Sequence, residues 1–163
     1  MTKKKPLKKT KKVVMVSGGF DPVHIGHVRM FQEAKKLGDE LVVVINNDNW
    51  LKFKKGYTFM SEADRKEIIQ SLKPVDRVLI TGHKPGTNDI TVCRELKIVK
   101  PHIFANGGDR KENVPMPEYE VCKRLGIKMI FNVGRGGKVR SSSKLLKKYS
   151  STYKIDKNKK SRK

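Results

Sequence analysis

Two histidines that follow a pair of glycines are the residues of this chain best suited to chemistry. Residues 18–27 read Gly-Gly-Phe-Asp-Pro-Val-His-Ile-Gly-His. Glycines allow a tight turn with the backbone close to a ligand, and the start of a helix presents free amides and a partial positive charge. His24 and His27 are three residues apart, so in a first helical turn they share one face. The segment therefore predicts a phosphate site flanked by two imidazoles, although the pair taken alone is also compatible with surface polar residues.

Short apolar runs alternate with segments of helical periodicity along the rest of the chain. The predicted strands are Val13–Val16, Leu41–Ile45, Val75–Ile80, Ile103–Ala105 and Ile127–Phe131. The predicted helices are Val28–Leu37, Ser61–Leu72, Asp89–Leu96, Glu118–Leu125 and Ser141–Tyr149. This alternation implies parallel strands joined by right-handed crossovers. The fold class is therefore α/β, a Rossmann-like three-layer fold with a five-stranded parallel sheet.

The unusual polar segments all come directly after predicted strands. They are residues 18–27, 46–48 and 106–110. Ligands of open α/β sheets bind outside the carboxyl ends of the strands, so we expect these three segments to meet at one edge. The sequence shows neither an internal repeat nor a second domain.

The net charge of +22 is concentrated at the two ends of the chain. Residues 1–12 carry +7 and residues 144–163 carry +8, which leaves +7 for everything between. Blocks of like charge without apolar periodicity remain solvated, which predicts basic flexible tails at 1–12 and 150–163 around one compact domain at 13–149. The tails also leave an alternative open, a nucleic-acid-binding protein on an inactive scaffold, with weak nucleic-acid contact through the tails.

Composition also narrows the cellular setting. No stretch approaches the roughly 18 apolar residues of a membrane helix, and the first residues lack the apolar segment of a signal peptide. The two cysteines, Cys93 and Cys122, have neither the spacing of a metal site nor the density of a disulfide scaffold, and we expect them to be small core residues. These features predict a cytoplasmic protein with no membrane association.

The pattern Gly-x-Phe-Asp-x-x-His-x-Gly-His of residues 18–27 resembles the signature of the cytidylyltransferase-like nucleotidyltransferases. The similarity extends from Val13 to Leu146. The segment at 107–109 is similar to that of heptose-phosphate adenylyltransferases, and the spacing around 54–57 resembles that of glycerol-3-phosphate cytidylyltransferase. Class I aminoacyl-tRNA synthetases share a similar histidine motif, but this chain is too short to supply their further domains.

The resemblance implies a reaction as well as a fold. A nucleoside monophosphate is transferred from CTP or ATP to a phosphorylated small metabolite, with a polyol phosphate or a sugar 1-phosphate as the leading acceptors, and pyrophosphate is released. The acceptor phosphate attacks the α-phosphorus in line, so catalysis rests on positioning and charge stabilisation. Mg²⁺ is expected with the triphosphate, and a homodimer is expected from the relatives.

By the same resemblance, individual residues receive roles. The predicted catalytic residues are His24, His27, Lys54, Lys55 and Arg65. The predicted nucleotide-binding residues are Gly18, Gly19, Phe20, Arg135, Ser141, Ser142 and Ser143, and the predicted substrate-binding residues are Asp21, Asp48, Gly107, Gly108 and Asp109.

Several of these roles have alternatives. Lys54 or Lys55 would reach a phosphate from a mobile loop over residues 51–59, which lacks a clear apolar period. Arg65 could equally form a surface salt bridge, and Asp21 could mainly fix the histidine loop. The three serines could simply cap a helix. Residues 134–140 depart from the pattern of the glycerol-phosphate enzymes, which leaves Arg135 in an uncertain register.

Overall fold

The computed structural model describes residues 10–107, 116–134 and 141–160, with side chains up to Ser151 in the last range. Its centre is a single sheet of five parallel strands, in the spatial order β3-β2-β1-β4-β5. The strands are β1 Val13–Gly18, β2 Glu40–Ile45, β3 Arg77–Ile80, β4 Ile103–Gly107 and β5 Lys128–Val133. The predicted α/β fold with a five-stranded parallel sheet is confirmed.

Alternate residues of β1 enter different cores, as expected for a strand covered on both faces. Val14 and Val16 pack in the core that contains Phe31 of the first helix. Met15 packs in the second core, with Leu96 and other residues from the opposite face of the sheet. The sheet is therefore the middle layer of three.

Six helices surround the sheet in the described ranges. They are α1 Ile25–Lys35, α2 Asp48–Lys55, α3 Glu62–Gln70, α4 Cys93–Val99, α5 Pro117–Leu125 and α6 Ser142–Lys160. None of the helices in the described ranges combines the length and the apolar character needed to cross a bilayer. The last helix continues beyond Tyr149, the predicted end, to Lys160.

Helix α2 is absent from the sequence prediction, which treated residues 51–59 as a mobile loop. The helix begins after Asn47, whose side chain accepts from the amide of Trp50, and it ends at Gly56 in the left-handed conformation. Lys54 and Lys55 are therefore helical residues, and the mobile-loop prediction is wrong. The helix forms although its apolar residues show no clear helical period. Its polar N-cap and its C-terminal glycine satisfy backbone groups that the two helix ends would otherwise leave without partners.

Helix α4 also differs from the prediction, which started it at Asp89. The carboxylate of Asp89 accepts from the amide of Thr91, and the hydroxyl of Thr87 accepts from the amide of Asp89. These local bonds hold the chain in turns until the helix begins at Cys93. The prediction that the cysteines are core residues is confirmed, since Cys122 is buried in the second core and Cys93 packs against it.

Candidate active site

The two histidines lie at the start of α1 and hold each other in place. The Nδ1 atom of His24 accepts from the amide of Gly26 at 3.1 Å, and the Nδ1 atom of His27 accepts from the amide of His24 at 3.3 Å. The rings stack with centroids 3.7 Å apart. Because a neutral imidazole carries one ring proton and both Nδ1 atoms act as acceptors, the proton of each neutral ring lies on Nε2. The pair therefore offers Nε2–H donors and not acceptors.

The charge state of His27 follows from its surroundings. The pKa of His27 is lowered from 6.5 to about 3, mainly by burial and to a smaller extent by the nearby charges of His24 and Lys55. The edge of Phe20 packs against the ring, with centroids 5.0 Å apart. At neutral pH this imidazole is uncharged. It would stabilise an anion as a hydrogen-bond donor.

Asp21 anchors the loop that carries the histidines. Its carboxylate is fully buried and accepts from the amides of Phe59 at 2.8 Å and Met60 at 2.7 Å. The segment that follows α2 is thereby tied to the loop that precedes α1. These contacts match the alternative in which Asp21 fixes the histidine loop.

Arg65 joins three segments at the carboxyl end of the sheet. Its side chain is completely buried, and its guanidinium donates to the carbonyl oxygens of Gly19 and Asn46, both at 2.7 Å. It also pairs with the carboxylate of Asp48 at 2.6 Å. The surface salt bridge considered for Arg65 is wrong, because the guanidinium has no solvent exposure. The contacts make Arg65 a positioning residue for the two loops that follow β1 and β2.

The two lysines of α2 have different environments. Lys55 is half-buried, and its ammonium donates to the carbonyl of Asp21 at 3.2 Å. Burial is the main cause that lowers its pKa, the nearby charge of Arg65 adds to that effect, and Asp21 opposes it. Lys54 is exposed. Of the two, Lys55 is the one directed towards the histidines.

The N-terminus of α6 lies against the histidine loop. The hydroxyl of Ser142 donates to the carbonyl of Pro22 at 2.9 Å. The first hydrogen bond of the helix runs from the amide of Leu145 to the carbonyl of Ser141. Amides of a first helical turn lack partners within the helix, so those that follow Ser141 are suited to bind an anion.

A cavity of about 240 Å³ brings these groups together. It is lined by Gly19, Phe20, His24, His27, Trp50, Lys55, Ser141, Ser142 and Ser143. Most of the predicted nucleotide-binding and catalytic residues therefore meet at one place. The volume is below the roughly 300–1,000 Å³ of pockets that enclose whole ligands, so it suits the reacting phosphates better than complete substrates.

Trp50 is a lining residue that the sequence analysis missed. Its indole N–H donates to the carbonyl of Ile90 at 3.0 Å, which fixes the ring between α2 and the loop after β3. It is the only tryptophan of the chain. Trp50 stands directly before the stretch treated as a loop, where no helix was predicted, and the cap of Asn47 three residues earlier was the available signal.

Other predicted site residues lie outside the cavity lining. The carboxylate of Asp48 is paired with the guanidinium of Arg65. Gly18 lies at the end of β1, directly against the ring of Phe20. Gly107 ends β4 so close to Met30 that an added Cβ would overlap its sulfur. Three further predicted residues, Gly108, Asp109 and Arg135, lie outside the described residues.

The chain belongs to the cytidylyltransferase-like family, whose model matches residues 15–155. The resemblance drawn from the histidine motif is thereby confirmed, and the protein is an enzyme of the nucleotidyltransferase type.

Three curated proteins are similar to this chain over more than half of its length. The chain is 40% identical over 116 residues to a protein named FAD synthase from Aciduliprofundum boonei, a match that covers 71% of this chain and 73% of that protein. An FAD synthase from Ferroglobus placidus is 35% identical over 117 residues, with 72% of each protein covered. The bifunctional protein HldE from Nitratiruptor is 40% identical over 106 residues, which are 64% of this chain but only 22% of that longer protein.

Solved structures share the fold. A lipopolysaccharide core biosynthesis protein from Thermoplasma volcanium is 30% identical with a TM-score of 0.62, over 78% of this chain and 100% of that one. A pantoate-beta-alanine ligase from Francisella tularensis has a TM-score of 0.54 at 19% identity, over 77% of this chain and 60% of that one. The second likeness concerns the fold alone.

Proposed function

We propose that this enzyme transfers the adenylyl group of ATP to the phosphate of FMN, forming FAD and pyrophosphate. The observation that carries the proposal is the convergence of His24, His27, Lys55 and the start of α6 on one cavity. Those groups are donors and cations, as a reaction between two phosphates requires.

The choice of acceptor rests on the relatives and on chemistry. The two FAD synthases described above match this chain over 73% and 72% of their own length, whereas the match to HldE covers 22% of that longer protein. FMN carries its phosphate on a ribityl chain and is itself a polyol phosphate, the acceptor class favoured by the histidine motif's resemblance. A sugar 1-phosphate is the second candidate, supported by the HldE match. ATP is preferred to CTP because FAD contains an adenylyl group.

In the proposed reaction an oxygen of the FMN phosphate attacks the α-phosphorus of ATP. A new oxygen–phosphorus bond forms there as the bond to the bridging oxygen of the β-phosphate breaks, and pyrophosphate leaves with that oxygen. The Nε2–H groups of His24 and His27 donate to the α-phosphate oxygens, on which charge grows in the transition state. Lys55 stabilises the same oxygens from α2.

The leaving group is held at the other side of the cavity. The free amides that follow Ser141 and the partial positive charge of the α6 N-terminus bind the β- and γ-phosphates. The bond from Ser142 to Pro22 sets the distance between this helix end and the histidine loop. The two phosphate-binding elements therefore act as one unit.

Magnesium enters this proposal with the nucleotide. Within the described ranges no group of three or more His, Cys, Asp and Glu residues could hold a metal ion. The carboxylate of Asp21 is turned to backbone amides and not to the cavity. A Mg²⁺ ion in this proposal would therefore be held mainly by phosphate oxygens and water. It would neutralise part of the triphosphate charge.

The proposal is tested by a pyrophosphate-release screen that crosses ATP and CTP with FMN, a sugar 1-phosphate and glycerol 3-phosphate, with FAD detected by chromatography. We expect ATP with FMN to give the highest kcat/KM and FAD as the product. Turnover confined to another pair would refute the proposed acceptor or donor. If no pair of substrates released pyrophosphate, the proposed nucleotidyl transfer would be refuted.

The two adjacent lysines provide a matched pair of variants. Lys55→Ala removes the half-buried ammonium beside the histidines, and we expect kcat to fall about 10²-fold, as when one preorganised donor is lost. Lys54→Ala removes an exposed ammonium from the same helix and should leave kcat within a few-fold. Equal losses from both changes would show that the assignment of Lys55 is wrong.

A further inference from the structure

Three aromatic side chains are exposed on helix α2 and in the segment that follows it. Phe53 is 54% exposed, Tyr57 is 42% exposed and Phe59 is 57% exposed, all within seven residues of the chain. Aromatic rings stabilise a fold mainly when they are buried, and a cluster of large apolar side chains in solvent marks a binding surface. The fold gains little from holding these three rings in water.

The aromatic residues are continuous with the phosphate cavity. Trp50 lines that cavity, and Phe53 lies three residues further along α2, so the two side chains are neighbours on the helix, with Cβ atoms about 5–6 Å apart. Phe59 is held from another direction, because its amide donates to the buried carboxylate of Asp21 in the histidine loop. Helix spacing thus places Phe53 beside the lining residue Trp50, and a backbone hydrogen bond ties the segment of Phe59 to the histidine loop.

The backbone around these rings is fixed before any ligand binds. Gly56 ends α2 in the left-handed conformation, with φ of 80°, and its amide donates to the carbonyl of Lys52 at 2.8 Å. The chain then turns back to the anchored amides of Phe59 and Met60. The indole of Trp50 is fixed by its bond to Ile90, which is itself 40% exposed. A preformed surface loses little conformational entropy when it binds a ring.

We propose that Trp50, Phe53 and Phe59 form an aromatic subsite that binds the planar ring system of the acceptor and makes the enzyme selective for a flavin. This inference rests on the proposed function. The cavity holds the acceptor phosphate, and the ribityl chain carries the isoalloxazine ring away from it towards the neighbouring turn of α2. A sugar phosphate has no ring system that would use such a surface.

Stacking supplies the selectivity. A π-system stacked on an aromatic side chain binds about tenfold or more weakly when that side chain is replaced by alanine. Loss of one ring at this subsite therefore weakens FMN binding about tenfold, equivalent to about 1.4 kcal/mol. The proposed triphosphate contacts come from α1, α6 and Lys55, and the loss of a phenylalanine ring removes none of them, so the KM for ATP should be unchanged.

The test uses Phe53→Ala and Phe59→Ala in the full chain, with Ile98→Ala as the control. Ile98 is 62% exposed on α4, away from the cavity lining, so its loss removes comparable exposed apolar surface without touching the subsite. FMN affinity is measured by quenching of Trp50 fluorescence, and steady-state kinetics give KM for FMN and for ATP. We expect each phenylalanine variant to raise Kd and KM for FMN about tenfold, and the control to match wild type. Phe53→Leu and Phe59→Leu keep the apolar character and should show an intermediate loss.

The outcomes are separable. FMN affinity within twofold of wild type in both alanine variants, with FAD still formed, would overturn the aromatic subsite and leave the proposed function standing. No FAD formation by the wild-type chain would overturn both. A third outcome is that the alanine variants run as monomers on gel filtration, the wild-type chain runs as a dimer, and FMN affinity is unchanged. The aromatic surface would then contact a second copy of the chain, and the inference would be overturned.

Discussion

The neutrality of His27 predicts a specific dependence of stability on pH. In the folded protein the pKa of this imidazole is lowered from 6.5 to about 3, first by burial. In the unfolded chain the imidazole titrates near its ordinary value. As the pH falls through about 6.5, the unfolded chain takes up a proton that the folded protein does not. The free energy of unfolding therefore decreases with falling pH, and the loss levels off only near pH 3.

The size of the effect follows from the same two pKa values. For 6.5 in the unfolded chain and about 3 in the folded protein, proton linkage between pH 7 and pH 5 gives a loss of about 2 kcal/mol. His27→Gln removes the titrating group and keeps a side-chain N–H donor. Any packing cost of glutamine is present at both pH values, so it cancels when the two pH values are compared.

Urea unfolding of wild type and His27→Gln at pH 7 and pH 5, at constant ionic strength, measures the difference. We expect wild type to lose about 2 kcal/mol more than the variant on going to pH 5. Equal losses would mean that His27 takes up its proton normally in the folded protein. The proposed role of a neutral Nε2–H donor would then be wrong.

Two further predictions concern the scaffold of the site. Arg65→Ala should lower the free energy of unfolding by about 3–5 kcal/mol, because the buried side of the Asp48 carboxylate and two carbonyl oxygens lose their donor. Lys66→Ala on the same helix is the control. A similarly small effect of both changes would contradict the role of the buried guanidinium. Gly56→Ala should lower the free energy of unfolding by about 1–2 kcal/mol, because φ is 80° there and an L side chain is strained in the left-handed conformation. The space around the site is open, so a steric clash does not contribute. An unchanged midpoint of urea unfolding would show that the left-handed end of α2 is not required.

Much of the fold could be predicted because its signals are local. The buried runs of β1 and β2 are continuous in the sequence, as expected of strands that are covered on both faces. The glycines and histidines of residues 18–27 also form one continuous segment. The phosphate cavity could therefore be anticipated at the end of β1.

The missed features depend on contacts between distant residues or on competition between weak signals. Helix α2 has too few apolar residues for a clear period, and its caps decide its bounds. The bond from Ser142 to Pro22 joins residues 120 positions apart, and no local pattern records it. The burial of Arg65 is equally non-local, since its partners come from three segments of the chain. Such side-chain geometry follows from the assembled sheet edge.

The imidazoles that cap α1 are the same groups assigned to the chemistry, and this has a consequence for laboratory evolution. In many enzymes, replacement of a catalytic residue relieves strain and makes the fold more stable, so activity and stability oppose each other. Here each Nδ1 atom accepts a hydrogen bond from the backbone, while Nε2 of the same ring carries the proton that the proposed chemistry uses. At neutral pH, selection for thermostability alone should therefore retain both histidines, even in a population that never meets a substrate.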